Sequence, residues 1–192
     1  PQANDSANAI TIANTGGSGV SDINASITAP GDIEFAGKTN ITGATVESAE
    51  AGITISGSGG TLSGGAKLKT DTHSNDADKI VFSGDNITIS GATTAVETTD
   101  GPITVSGDGF TLENNATVQS SSGAVSIDGD NATLASGATL QTTTSDITIA
   151  GDNGSIESAV QTTDGNITLS GSGIGLDGGK VTTASGDITL TG

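Results

Sequence analysis

Residues 101–144 read GPITVSGDGFTLENNATVQSSS and then GAVSIDGDNATLASGATLQTTT, two copies of one 22-residue unit placed end to end. Near the start of each copy is a triplet with apolar first and third residues, and nine such triplets start between residues 10 and 188, at a mean spacing of about 22 residues. The triplets are residues 10–12, 33–35, 53–55, 80–82, 103–105, 125–127, 147–149, 167–169 and 188–190.

Every repeat also carries two further apolar positions. The second position is occupied by Ile41, Leu62, Ile87/Ile89, Phe110/Leu112, Leu134, Ile156 and Ile174/Leu176. The third position is occupied by Ile27, Val46, Leu68, Val96, Val118, Leu140, Val160 and Val181. Apolar-polar alternation is the period of a β-strand, and the Gly, Asp, Asn and Ser between these positions are turn residues. One repeat therefore predicts three short strands and three turns.

A single three-strand coil cannot bury its apolar side chains, whereas stacked coils can. Equivalent strands would pair in parallel, about 4.8 Å apart, so that aliphatic residues form columns inside the stack. The sequence therefore predicts an all-β fold, a right-handed parallel β-helix (β-solenoid) of about nine coils of roughly 22 residues, with three short strands per coil. The handedness follows from the preferred sense of parallel crossovers.

The whole chain, residues 1–192, is predicted to be one solenoid segment with two irregular parts. Residues 1–30 should form an irregular first coil, and residues 71–79 a loop insertion, because the spacing from Ile53 to Ile80 widens to 27 residues. His73 lies in that insertion and is predicted to be a solvated loop residue. Since the chain opens without an export signal and stops just after a first strand, we expect a fragment of a longer repetitive protein.

The composition excludes several classes of function. Lys+Arg is 5 and Asp+Glu is 22, and the net charge of −17 would repel nucleic acid. No apolar run approaches the roughly 20 residues of a membrane-spanning helix, so membrane insertion is not expected. The chain has no Cys, which excludes disulfides and thiolate zinc sites.

One set of acidic residues recurs with the repeat. Asp85, Asp108, Asp130 and Asp152 each follow a glycine after the first strand, at spacings of 23, 22 and 22 residues. In a stacked solenoid they should form a column. Two interpretations stay open: the carboxylates accept hydrogen bonds from turn amides, or they bind Ca²⁺, which prefers oxygen ligands. No other cofactor is predicted.

Two further polar columns are predicted on the outside. Glu97, Gln119, Gln141 and Gln161 should form an amide ladder. Outward Thr and Ser of the first strands would form a hydroxyl array of the kind an ice-binding solenoid presents. Its pairs are interrupted at Glu34, Val81, Asp128 and Ala150, so ice binding is an alternative.

Catalysis is not expected. Polysaccharide-degrading enzymes also use β-helices and paired carboxylates. Here arginine is absent, the lysines are dispersed, and no aromatic platform exists for sugar stacking. An enzyme is therefore the remote alternative.

The repeat, with the form [DS]-G-x-Ile-Thr-[Ile/Val/Leu]-[Ser/Ala]-Gly-[Asp/Ser] followed by Ala-x-Val-Gln-Thr-Thr, resembles the shafts of filamentous-haemagglutinin-like bacterial adhesins. The resemblance covers the chain from Ile10 onward. It implies two-partner or autotransporter secretion, a location on the bacterial cell surface or outside the cell, and a role as a rigid spacer or matrix filament. The partners would be host or matrix surface components, or other copies of the chain stacked end to end.

Overall fold

The computed structural model describes residues 9–14, 19–71 and 78–192, and within these ranges every regular element is a β-strand. The strands are assigned to three parallel sheets, one for each side of the coil. The first sheet contains β1 (Ile10–Ala13), β4 (Ile33–Ala36), β7 (Ile53–Ile55), β10 (Ile80–Phe82), β13 (Ile103–Val105), β16 (Val125–Asp128), β19 (Ile147–Ala150), β22 (Ile167–Ser170) and β24 (Ile188–Thr191). The second contains β2 (Ser21–Ile23), β5 (Thr39–Thr42), β8 (Thr61–Ser63), β11 (Thr88–Ser90), β14 (Thr111–Glu113), β17 (Thr133–Leu134) and β20 (Ser155–Ile156). The third contains β3 (Ile27–Ala29), β6 (Thr45–Ser48), β9 (Lys67–Thr70), β12 (Ala95–Thr98), β15 (Thr117–Ser120), β18 (Thr139–Thr142), β21 (Ala159–Thr162) and β23 (Lys180–Thr183).

Each strand pairs with its equivalent one coil away, as the repeat predicts. Ile103 is aligned with Val125, Val125 with Ile147, and Ile147 with Ile167. The second and third apolar positions form columns in the same way, for example Leu112 beside Leu134. The prediction of a parallel β-solenoid with three strands per coil is therefore confirmed, over about eight turns.

The interior is a continuous column of aliphatic side chains with three aromatic rings. Phe35, Phe82 and Phe110 are all fully buried. The rings of Phe82 and Phe110 lie 6.4 Å apart at 48°, a tilted arrangement that aromatic pairs favour. In the column of Phe110 the two following coils have the small residues Ala132 and Gly154, whereas Phe35 and Phe82 are aligned with Ile and Val residues.

One corner of the core is polar, a feature that the sequence analysis missed. The buried hydroxyl residues at the ends of the third-sheet strands are Ser48, Thr70, Thr98, Ser120, Thr142 and Thr162. Their hydroxyls bond the backbone of the corner between the third and first sheets, in their own coil or in the preceding one; Ser120, for example, donates to Gly101 O of the preceding coil at 3.2 Å and accepts the Gly123 amide of its own coil at 2.8 Å. These bonds satisfy backbone groups that the corner removes from water. The signal was present as a Ser or Thr two residues after each third apolar position from Val46 onward.

The turns after the first-sheet strands from β7 to β22 require a glycine for a steric reason. In this column a Cβ would overlap the carbonyl of the equivalent residue in the preceding coil; for Gly107 it would lie 2.5 Å from the carbonyl carbon of Gly84. The glycines that share this contact are Gly57, Gly84, Gly107, Gly129, Gly151 and Gly171. The regular spacing of these glycines in the repeat therefore reflects the close approach of successive coils.

The last coil departs from the expected repeat. The last coil should contribute a second strand around Ile174 and Leu176, but only an isolated bridge joins Ser155 to Gly175 there, and Leu176 is exposed. That prediction is wrong: Gly173, Gly175, Gly178 and Gly179 surround Ile174 and Leu176, and glycine within such a segment weakens a strand because it has no side chain to pack. The first coil has three strands paired in register with the next coil. Residues 1–8, 15–18 and 72–77, and with them most of the predicted insertion and His73, lie outside the described residues.

Replacing Ser158 with alanine is expected to stabilise the fold by about 1 kcal/mol. The Ser158 hydroxyl is buried and has no hydrogen-bond partner within the described part of the chain, whereas the same column has Ala116 and Ala138 in the two preceding coils. Thr94, in the same column, is the matched control, because its Oγ1 accepts the Gly65 amide at 3.2 Å. Urea denaturation should show Ser158→Ala more stable and Thr94→Ala less stable than the natural chain; equal losses would contradict the assignment.

Candidate functional site

The four predicted aspartates do form a column at the corner that leads from the first sheet to the second. The amide of Asp108 donates to Asp85 Oδ1 at 3.1 Å, Asp130 to Asp108 at 2.9 Å, and Asp152 to Asp130 at 2.8 Å. Ser58 Oγ begins the chain of bonds by accepting the Asp85 amide, and the Ser172 amide ends it on Asp152. Each carboxylate therefore binds the backbone of the coil that follows.

A second column of the same kind precedes the first-sheet strands, and the sequence analysis missed it. The Asp32 carboxylate accepts the Gly52 amide at 3.0 Å, and Asp146 accepts the Asn166 amide at 2.7 Å. Asn166 Oδ1 accepts the Asp187 amide at 2.9 Å in turn. The available signal was an Asp or Asn directly before the isoleucine of the first strand. Both columns link neighbouring coils where the backbone turns and sheet pairing is interrupted.

The geometry of the first aspartate column supports the interpretation that its carboxylates accept hydrogen bonds from turn amides. One oxygen of each carboxylate is engaged by a backbone N–H, and the bonds run along the axis and not toward a common centre. Among the described residues, no three His, Asp or Glu side chains are grouped so that they could hold a metal ion. The calcium site at Asp85, Asp108, Asp130 and Asp152 therefore stays a prediction that solution experiments can test.

We expect the melting temperature to be the same in millimolar Ca²⁺ as in chelator. Calcium takes six to eight oxygen ligands, and this column offers carboxylates that already accept amides. Differential scanning fluorimetry would measure the melting temperature in calcium and in chelator. The measurement is made on the natural chain and on Asp130→Asn, which keeps an oxygen acceptor. A calcium-dependent rise in the natural chain that Asp130→Asn abolishes would establish the cation site instead.

The predicted amide ladder lies on the outer face of the third sheet. Gln119 Nε2 donates to Glu97 Oε1 at 3.0 Å, Gln141 to Gln119 at 2.7 Å, and Gln161 to Gln141 at 2.8 Å. All three amides point in the same direction and the chain of bonds ends on the Glu97 carboxylate, which makes the series mutually polarising. The C-terminal part of the ladder, Gln141 and Gln161, borders a shallow groove lined by threonine hydroxyls and by Lys180.

The same column carries an ion pair in the earlier coils. Lys69 Nζ lies 3.2 Å from Glu47 Oε1, and both side chains are partly exposed. The hydrogen bond and the charge of Glu47 raise the pKa of Lys69 above its ordinary value, with smaller effects from Asp71 and Glu97. Because the folded-state pKa is raised, the pair stabilises the fold below the unfolded pKa, and this contribution is lost as the pH rises through the folded value.

Outward hydroxyls form two columns, which are continuous from Thr104 onward on the first sheet and from Thr61 onward on the second. In the coils before Thr104, the first-sheet column is interrupted at Glu34 and Val81, as predicted. On the first sheet the column is Thr104, Ser126, Thr148, Thr168 and Thr189; on the second it is Thr61, Thr88, Thr111, Thr133 and Ser155. The neighbouring position on the first sheet is interrupted by Asp128 and Ala150, as predicted. The first sheet therefore presents one regular hydroxyl column beside a mixed one.

These features define a three-sided parallel β-solenoid with polar ladders on its outer surface. Comparisons with models of protein families, with curated proteins and with solved structures found no match for the chain. Within the described residues, no helix has the length and apolar character needed to cross a membrane.

Proposed function

We propose that the chain is a rigid, non-enzymatic segment of an extracellular structural protein, an adhesin, biofilm-matrix protein or surface filament of a bacterium. The observation that carries the proposal is the continuity of the axial ladders: nine first-sheet strands pair without interruption from β1 to β24. Backbone hydrogen bonds in a solenoid run parallel to the axis, so bending the rod stretches many of them together. The Asp and Gln columns add side-chain bonds in the same direction.

The location is supported by composition and by the resemblance of the repeats to adhesin shafts. A chain without Cys can be exported unfolded and can fold outside without disulfide chemistry. A net charge of −17 opposes the edge-to-edge aggregation of a strand-rich protein. Antibody labelling of intact cells of the natural source tests the location: labelling without permeabilisation supports it, and labelling only after permeabilisation overturns it.

The partner interaction that we propose is end-to-end stacking on another copy, in which one solenoid continues the core columns of the next. Leu176, Ile188 and Leu190 are 42%, 43% and 60% exposed, whereas their equivalents in the preceding coils are buried. These side chains belong to the core columns, and the β24 edge offers unpaired backbone groups in the register of a further strand. A further coil, either of the same protein or of a second copy, would bury both.

Leu190→Glu is expected to weaken end-to-end association at least tenfold, because it places a charge at the centre of that contact. Thr189→Glu is the matched control, because it adds the same charge on the outer side of the same strand. Sedimentation of the natural chain and both variants over a concentration series measures the effect. A natural chain that stays monomeric at high concentration, or equal effects of the two substitutions, would contradict stacking and leave the rod itself untouched.

Ice binding is the second candidate function, and the first-sheet hydroxyl column favours it. Thr104, Ser126, Thr148, Thr168 and Thr189 repeat at about 4.8 Å along the outer face of the first sheet. Thermal hysteresis in dilute solution, reduced by Thr148→Glu, would support this function. Freezing without hysteresis would exclude it.

A further inference from the structure

The corner between β19 and β20 contains a pair of residues that can react with each other. Asn153-Gly154 is the only Asn-Gly pair in the chain. In such a pair the backbone nitrogen of the glycine can attack the carbonyl carbon of the asparagine side chain. The reaction is fastest before glycine, because glycine has no Cβ to obstruct the approach and lets the backbone rotate. Whether it proceeds in a folded chain depends on what holds the two reacting groups.

The side chain of Asn153 is not held by the fold. The residue is exposed and lies on a turn between strands, with a left-handed φ of 57°. Among the residues that the structure describes, its carboxamide makes no hydrogen bond. Asn114, which is also exposed and left-handed, donates to Ser90 at 2.9 Å instead. The Asn153 carboxamide can therefore rotate toward Gly154 without breaking a bond.

The attacking nitrogen is uncommitted as well. Gly154 is buried, and its carbonyl accepts the Gly175 amide at 2.8 Å. Its own N–H, however, donates no hydrogen bond to any described residue. Most buried amides in proteins are paired, so an amide without an acceptor is unusual. Bond formation at this nitrogen therefore sacrifices no hydrogen bond of the fold.

The preceding coil contains an internal comparison. Asn131 is aligned with Asn153, is also exposed, and has a φ of 58°. It is followed by Ala132, which is buried. The Cβ of Ala132 obstructs the attack and restricts the backbone rotation that ring closure needs. The two corners therefore share one asparagine conformation and differ at the attacking residue.

We propose that Asn153 is a site of spontaneous deamidation, which converts it to aspartate and isoaspartate. Gly154 N forms a bond to Asn153 Cγ, the Cγ–Nδ2 bond breaks, and the amide proton leaves with the side-chain nitrogen as ammonia. Water then opens the five-membered imide. Opening at Cγ gives aspartate, and opening at the Asn153 backbone carbonyl gives isoaspartate, in which the backbone runs through Cγ. The inference goes beyond the proposed function and does not depend on it.

The isoaspartate form should loosen the contact with the next coil. Two hydrogen bonds to that coil flank the modified link: Asn153 N donates to Ser172 O at 2.9 Å, and Gly154 O accepts the Gly175 amide at 2.8 Å. Isoaspartate adds one backbone carbon between them, which lengthens the path by about 1.5 Å. A hydrogen bond does not tolerate a displacement of that size. The isolated bridge between Ser155 and Gly175 is therefore the contact that should open.

Peptide mapping by mass spectrometry of the folded full chain, incubated at mildly alkaline pH, tests the proposal. The peptide with Asn153 should convert to the acid about tenfold faster than the peptide with Asn131, because only Asn153 precedes glycine. Gly154→Ala should slow the conversion to the rate of Asn131 without lowering the melting temperature, and Ala132→Gly should make Asn131 react. Conversion of Asn153 only after unfolding in urea, or no faster than that of Asn131, would overturn the proposal.

Hydrogen exchange tests the structural consequence separately. The matched control is Asn153→Asp, which introduces the same charge and keeps the normal backbone. The Gly175 amide should exchange several-fold faster in the purified isoaspartate form than in Asn153→Asp, because only the former lengthens the backbone at the corner. Equal exchange in the two chains would contradict the loosening of the last coil.

Discussion

Gly107→Ala is expected to destabilise the solenoid by about 3 kcal/mol. The added Cβ would overlap the Gly84 carbonyl oxygen and lie 2.5 Å from its carbonyl carbon. The atoms that it meets belong to the backbone, and that backbone is held by the paired strands β10 and β13 on one side of the corner. The coils must therefore separate locally, which weakens the ladders on both sides. Urea denaturation followed by circular dichroism measures the loss.

Gly154→Ala is the matched control for this prediction. Gly154 is also buried at a corner, but its Cβ would meet Ala132 O and Ile174 Cγ1 only at 3.6 Å, and the coil before it already has Ala132 in the aligned position. The substitution should be neutral or stabilise by up to about 1 kcal/mol, because alanine reduces the entropy of the unfolded chain. If Gly107→Ala and Gly154→Ala had the same effect, close approach of the coils would not be the reason for the glycine column.

Phe82→Ala is expected to cost about 3–5 kcal/mol. The side chain is fully buried in the middle of the stack and packs with the Phe110 ring at 6.4 Å. Its removal leaves a cavity that neighbouring coils cannot fill, because their backbones are held at strand spacing along the axis. The midpoint of urea unfolding should fall accordingly.

Val81→Ala, one residue earlier on the same strand, controls for loss of strand propensity. Val81 points outward and is only half-buried, so its truncation should cost less than about 1 kcal/mol. Phe110→Ala supplies a second measurement, since the two rings contact each other and their effects should not add. A Phe82→Ala chain as stable as Val81→Ala would show that the core does not depend on this ring.

The strand positions and their register could be predicted because the repeat states them many times. Ile103, Val125, Ile147 and Ile167 recur at nearly constant spacing, and strand pairing between coils converts this spacing directly into a column. The same reasoning placed the aspartate column and the glutamine ladder, since any residue at a fixed place in the repeat must lie above its equivalent. Periodicity gives no information about what the side chains in a column bind.

The predictions failed or stopped short where contacts join different positions of the repeat. Ser120 reaches Gly101 and Gly123, which lie at the next corner and not at its own place in the repeat, so spacing could not reveal the buried hydroxyl column. The second strand of the last coil is missing although Ile174 and Leu176 keep the apolar pattern. Packing by neighbours, and not the pattern alone, determines whether such a short segment pairs as a strand.

By itself, the sequence determined the class of fold, the number of strands per coil and the columns in which residues stack, because a repeat in a parallel solenoid maps onto space through one translation along the axis. Only the tertiary structure decided how each column is used: the aspartates accept amides of the following coil, the glutamines polarise one another, and the corner glycines leave room for a carbonyl. These outcomes depend on distances of a few tenths of an ångström between coils, and residue spacing carries no information at that scale.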